Sequence, residues 1–192
     1  MTRPLPLAAS TRAVFLLAIP HPAMAAPGDG RAPAVAEACD SRGNSSVDAG
    51  VIAWEDETVL NTALAYANRQ WSTNGLTQVK LKRDAASNIA DLQWRDVNRT
   101  DGDWATRDAQ WAPHTGADNV YFNLARLGDG KVSGTEYHRA HIAAHELGHA
   151  LGLCHTTPRE YSLMWPRHKD LDADNINGPM PYDGTAYHKL WG

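Results

Sequence analysis

Between residues 51 and 192 the apolar positions follow two rhythms. Val51-Ile-Ala-Trp54 is a short apolar run that reads as a first strand. Leu60, Ala63, Leu64, Ala67 and Trp71 then recur at intervals of three and four, which predicts an amphipathic helix with one apolar stripe. Glu55-Asp56-Glu57 place negative charge where such a helix would begin, and Asn74-Gly75 would end it. Strict alternation follows in 77–81, where Thr77, Val79 and Leu81 oppose Gln78, Lys80 and Lys82. It recurs at Ala90, Leu92 and Trp94, and again at Val120, Phe122 and Leu124, so three more strands are predicted. Residues 96–116 are polar and rich in Asp and read as a long surface loop. Ser133 and Glu136 have capping-box spacing and open a helix predicted over 134–151. A short last helix is predicted over 185–190. The pattern describes one α+β domain over 50–192.

The first 49 residues differ. Arg3 and Arg12 precede a short apolar run, Pro20 and Pro22 interrupt it, and Ala23-Met24-Ala25 offers a small-x-small cleavage site. Residues 1–25 therefore read as an export signal, and the protein is expected to be secreted and extracellular. The apolar run is too short to span a bilayer. Residues 26–49, rich in Gly, Pro, Ser, Ala and Asp, read as a flexible N-terminal or pro-segment.

Composition changes this picture little. An apolar fraction of 43% is ordinary, and seven Trp supply bulky core material. The net charge of −4, without a basic stripe, argues against a nucleic-acid partner. A monomer is expected. Two cysteines, Cys39 and Cys154, in an exported chain predict one disulfide. The alternative leaves the two thiols unpaired.

The chemistry is concentrated in His145-Glu146-Leu-Gly-His149-Ala-Leu-Gly152-Leu-Cys-His155, which fits H-E-x-x-H-x-x-G-x-x-H at every fixed position. Residues four apart share a helix face, so His145 and His149 can direct two imidazoles at one ion. Gly152 lets the chain leave the helix, and the turn brings back His155 as a third nitrogen ligand. Three protein ligands leave a position open for water, the arrangement of a catalytic zinc. Glu146 lies beside that position. Met164 follows nine residues after His155 in Tyr161-Ser-Leu-Met-Trp-Pro166.

With both marks present, the chain resembles the metzincin zinc endopeptidases. The resemblance implies a twisted, mostly parallel sheet with two long helices above a cleft. Below it would lie a small irregular part containing a Met-turn and a C-terminal helix. It also implies hydrolysis of peptide bonds in protein or peptide substrates, with Glu146 as general base and Met164 as an apolar floor under the imidazoles. The strand 120–124 would form the upper rim, so Val120, Tyr121 and Phe122 would bind substrate, with Trp165 and Pro166 walling a pocket. Over 51–191 the chain is similar to snapalysins, through the helix ending in Trp71, the strand Val120-Tyr-Phe-Asn-Leu124, the Leu-Met of the turn and a late Leu-Trp. Snapalysins usually carry Asp as third ligand and a cysteine pair around the Met-turn. His155 is instead the matrixin and astacin form, and Leu171-Asp-Ala-Asp-Asn-Ile-Asn-Gly178 also resembles a matrixin segment. The alternatives are a zinc amidase acting on cell-wall peptides and a zinc-binding protein without catalysis.

Other polar residues receive plainer readings. The offsets to Glu146, Gly152 and His155 select His145 and His149 over His141 as ligands. His138, His168 and His188 read as surface residues. Asp170-x-Asp172-x-Asp174 lacks the Gly and Glu of a calcium-binding helix–loop–helix and reads as a capped helix start. Asp96, Asp101, Asp103 and Asp108 could hold a structural calcium, as in relatives.

Overall fold

The computed structural model describes residues 40–86, 89–156 and 161–192. Five strands, β1 (Val51–Glu57), β2 (Lys80–Arg83), β3 (Leu92–Val97), β4 (Ala109–Ala112) and β5 (Asp118–Asn123), form one sheet in the order β2-β1-β3-β5-β4. β1, β2, β3 and β5 run parallel, and β4 is antiparallel to β5. Among the described residues there are also five α-helices: α1 (Asn61–Gln70), α2 (Leu124–Leu127), α3 (Glu136–Ala150), α4 (His168–Ala173) and α5 (Pro181–Trp191). None is long and apolar enough to cross a membrane among the described residues. The mixed, mostly parallel architecture is the one the metzincin resemblance implied.

The core joins the sheet to α1 and α3. Ile52, Leu92, Trp94, Val120 and Phe122 from the sheet meet Ala63, Ala67, Trp71, Ile142 and Leu147 from the helices and their ends. All of the predicted α1 stripe is buried, from Leu60 to Trp71. Alanines on α1 and on α3 (Ala63, Ala67, Ala143, Ala144) let the two helices pack together. Trp71 closes this contact: its indole N–H donates to the Ala144 carbonyl at 2.7 Å, and its ring lies 6.1 Å from that of Tyr187. Tyr187 in turn accepts the Val79 N–H at 2.8 Å, tying α5 to the entry of β2.

Several boundaries fall elsewhere than the pattern suggested. Glu55, Asp56 and Glu57 extend β1 instead of opening α1, because partners wait on β3: Gln93 donates to Glu55 and Arg95 pairs with Glu57. Asn74 and Gly75, with φ of 53° and 87°, form a turn after α1 has stopped at Gln70. Thr135, not Ser133, caps α3 by accepting the His138 N–H at 3.1 Å. α5 begins at Pro181, whose fixed φ suits a first helical position. The 96–116 segment is not all loop, since it contains β4.

Residues 1–39 lie outside the described residues, and with them the export signal, Cys39 and most of the expected pro-segment. Residues 40–49, read as flexible, are instead packed onto the domain. The Ser41 N–H donates to the Gly152 carbonyl at 3.0 Å and the Ser46 N–H to that of Ala150 at 2.8 Å. Ser46 is buried, its hydroxyl donating to Asp118 and accepting from the Trp111 indole. These bonds take up carbonyls left open at the end of α3, which low local hydrophobicity could not reveal.

Gly148 lies on the face of α3 that meets Trp71 and Met164. A Cβ there would fall 2.4 Å from the Met164 sulfur and 3.1 Å from the Trp71 ring. Alanine in an open helix would add about 1 kcal/mol of helix propensity. Overpacking against a buried Met and Trp costs roughly 1–3 kcal/mol. Gly148→Ala is therefore expected to lower stability in urea denaturation; an increase would mean that Met164 has room to move.

Candidate metal centre and cleft

α3 supplies the first two imidazoles. His145 and His149 stand one turn apart, and each has its Nδ1 committed to a backbone carbonyl: His145 to Leu163 at 2.7 Å and His149 to Leu153 at 2.8 Å. A carbonyl only accepts, so each Nδ1 carries the proton and each Nε2 presents a lone pair. The chain then turns at Gly152, with φ of 86°. A Cβ there would also come 2.6 Å from the Ser41 carbonyl oxygen, so glycine is required by both backbone sign and space. After the turn His155 brings its Nε2 to 3.2 Å from that of His145 and 3.2 Å from that of His149.

These distances test the fit to zinc. Two Zn–N bonds of roughly 2.05 Å at a tetrahedral angle place their nitrogens about 3.3 Å apart. The His155 Nε2 stands close to that spacing from both of the others, and the carbonyls on His145 and His149 fix those two tautomers for coordination. Burial further holds His145 well below its ordinary pKa and brings His149 down to about 4, with the neighbouring histidines adding to both effects. Neutral imidazoles are what a zinc site needs. His145, His149 and His155 thus form a group able to hold a metal ion.

The Met-turn acts through its backbone as well as its side chain. Leu163, which orients His145, is held by Asp183 at the start of α5. The Asp183 carboxylate accepts from the Ser162 hydroxyl at 2.5 Å and from the N–H groups of Leu163, Met164 and Met180 at 2.8, 3.4 and 2.7 Å. Burial raises the Asp183 carboxyl, and these donors pull it back toward the charged form. Met164 is buried beside Gly148, between the two helical ligands in sequence. Asp183 had no role in the sequence reading; its one signal was an acid two positions after Pro181 at a helix start.

Glu146 is almost fully buried, its Oε2 accepting the Trp111 N–H of β4 at 2.6 Å. Burial pushes this carboxyl up to about 7, against the Trp111 N–H and the Arg107 charge, which lower it. The three histidines and Glu146 open into a cleft of about 670 Å³, bordered by Gln110, Trp111, Leu153, Pro166 and His168.

This geometry corrects the expected rim. Val120, Tyr121 and Phe122 lie on β5, which is paired on one side with β3 and on the other with β4. Both edges of β5 are used, Val120 and Phe122 are fully buried, and none of the three borders the cleft. The edge strand is β4, whose Ala109, Gln110 and Trp111 line the cleft. Trp165 is likewise turned aside: its indole donates to Asp170 at 2.9 Å and lies under Arg167, while Pro166 and His168 border the cleft. His138 is not a surface residue either, and His168 is half-buried at the cleft. His138 is buried between Asp108 and Asp172, and His168 packs 4.6 Å from the His145 ring. His188 is exposed as expected.

The four candidate calcium ligands are dispersed. Asp96 accepts from Thr58 and Val59, Asp101 pairs with Arg99, Asp103 with Arg107, and Asp108 with Arg126 and His138. Among the described residues they form no metal-holding group. Cys154 is buried, and its sulfur accepts the Asp40 N–H at 3.2 Å.

Asp183→Asn would turn an amide NH2 toward N–H and O–H donors that now meet a carboxylate. The loss of charge-assisted hydrogen bonds is expected to cost about 2–4 kcal/mol in urea denaturation and to weaken zinc retention through Leu163. Wild-type stability and zinc content in this variant would show that the turn holds its shape without the carboxylate.

Comparison with known proteins agrees with the geometry. No curated protein matches the chain. A family model described as matrixin matches residues 56–192, which include all five strands in whole or part, the three histidines, Glu146 and the Met-turn. The match lends no support to the snapalysin likeness. Carrying that family's model over most of its length, and its histidines at zinc-binding distances, the chain belongs to the matrixins, zinc metalloendopeptidases that hydrolyse protein substrates.

Proposed function

We propose that Glu146 is the general base of a secreted endopeptidase that binds its substrate along β4. Zinc, held by His145, His149 and His155, supplies a Lewis acid that makes water more acidic and polarises a peptide carbonyl. Glu146 takes the proton of the attacking water and delivers it to the leaving amide nitrogen as the C–N bond breaks. A carboxyl raised by burial suits both halves of this transfer, since it holds the proton it takes until the leaving nitrogen receives it. The Trp111 N–H fixes the other end of the carboxylate, so its position is set by the strand that also borders the substrate.

The substrate reading rests on the sheet order. β4 is short, antiparallel and at the edge, and its residues face the cleft. An extended peptide can add to such an edge through main-chain hydrogen bonds, which read backbone and leave selectivity to pockets. The pocket wall is built from Leu153, Pro166 and His168.

Secretion is supported by the leader over 1–25, and a Cys39–Cys154 disulfide by the contact between Asp40 and the Cys154 sulfur.

The observation that carries this reading is a buried glutamate beside three converging imidazoles. Glu146→Gln keeps the shape and an acceptor for Trp111 but cannot take a proton. Cleavage of an unfolded protein substrate is expected to fall by at least about 10²–10⁴, with zinc content unchanged. Near-normal cleavage by this variant would remove Glu146 from the reaction.

A further inference from the structure

The zinc helix carries two more histidines that the catalytic group does not use. His138 and His141 lie three apart on α3, facing Asp172 of α4. The His138 Nδ1 is 2.7 Å from one Asp172 oxygen, and the His141 Nδ1 is 3.2 Å from the other. One donor atom from each of the three residues lies within 4.8 Å of the others. The rings of His138 and His141 stand 4.7 Å apart at 70°.

A purely ionic network explains part of this cluster. A doubly protonated His138 could bridge Asp108 and Asp172, and the two carboxylates do raise its pKa, although burial alone would lower it. That account leaves His141 unexplained. His141 is completely buried, and neither of its ring nitrogens has a hydrogen-bond partner among the described residues. Asp172 Oδ1, the oxygen facing His141, also lacks one. Burial, with the His138 charge adding to it, brings His141 down to about 4, so the ring is neutral at pH 7. A buried neutral imidazole with both nitrogens unsatisfied is unfavourable unless something else meets its lone pair.

A divalent cation would satisfy all three groups. We propose that His138, His141 and Asp172 form a second metal site, for zinc or a cation of similar borderline softness, distinct from the catalytic triad. Two imidazoles and one carboxylate are the donor set such ions prefer. The surroundings are those of a supported ligand. Asp108 accepts from His138 Nε2 at 3.2 Å and is itself held by Arg126 at 2.6 Å. A carboxylate behind one imidazole nitrogen leaves the other for the metal. The ion would tie α3 to α4. Because α4 begins at His168, which borders the cleft and packs against His145, it would also steady that wall.

The test is zinc content per chain of the full-length protein after equilibration with buffered free zinc, alongside circular dichroism. Two zinc ions are expected in the wild type and one in His141→Phe, which keeps the ring volume but removes both nitrogens. His155→Ala should retain the second zinc while the catalytic ion is weakened, so failure of the triad and failure of this site are distinguishable. Should His141→Phe not fold, Asp172→Asn decides, because the Asp172 side chain is partly exposed and asparagine keeps its volume; one zinc is expected there too. A wild type with a single zinc would overturn the proposal. So would two zinc ions retained by a folded His141→Phe or Asp172→Asn.

Discussion

The His155 Nε2 stands 3.2 Å from the Nε2 of both His145 and His149, and ring nitrogens so crowded repel unless a cation or a shared proton lies among them. This constraint organises the lower half of the protein. Two of the rings are set by carbonyls that fix their tautomers, Leu163 for His145 and Leu153 for His149. Each carbonyl is in turn placed by something else. Leu163 depends on the Asp183 carboxylate, and Leu153 follows the turn at Gly152, against which Ser41 is packed. The metal site is thus the meeting point of α3, the Met-turn, α5 and the N-terminal segment. None of these elements could move by an ångström without changing the coordination.

The upper half positions Glu146, whose carboxylate lies close to His145 and is held from the sheet by the Trp111 N–H of β4. The same strand is the open edge of the sheet. A peptide pairing with β4 would therefore be placed relative to Glu146 by one rigid element, which is how geometry becomes catalysis without a loop having to close. Trp111 is fixed from behind by its indole bond to Ser46, so residues ahead of the first strand contribute to the placement of Glu146.

The metal site was legible because its chemistry demands fixed offsets. His145, Glu146, His149, Gly152 and His155 are constrained by helix periodicity and one turn, and both are local. The rim was not legible. Val120, Phe122 and Leu124 alternate like a half-buried strand, yet β5 is central and Leu124 already begins α2. The true edge is Ala109–Ala112, whose sequence, Ala-Gln-Trp-Ala, has no strong strand character and is extended only because β5 pairs with it. Histidine burial failed for a related reason. His138 and His168 look polar in sequence, and only the packing of α4 against α3 buries the first and half-buries the second. The packing of residues 40–49 was equally hidden, since it is made by backbone hydrogen bonds and a single buried serine.

The central claim is that peptide-bond cleavage depends on zinc held by the three histidines. It is tested most directly by stripping the protein with a chelator and following cleavage of an unfolded protein while zinc is added back. The account predicts that cleavage vanishes with the metal and returns as zinc is restored, and that His155→Ala does not recover it over the same zinc range. Full cleavage by protein shown to be free of metal would contradict it.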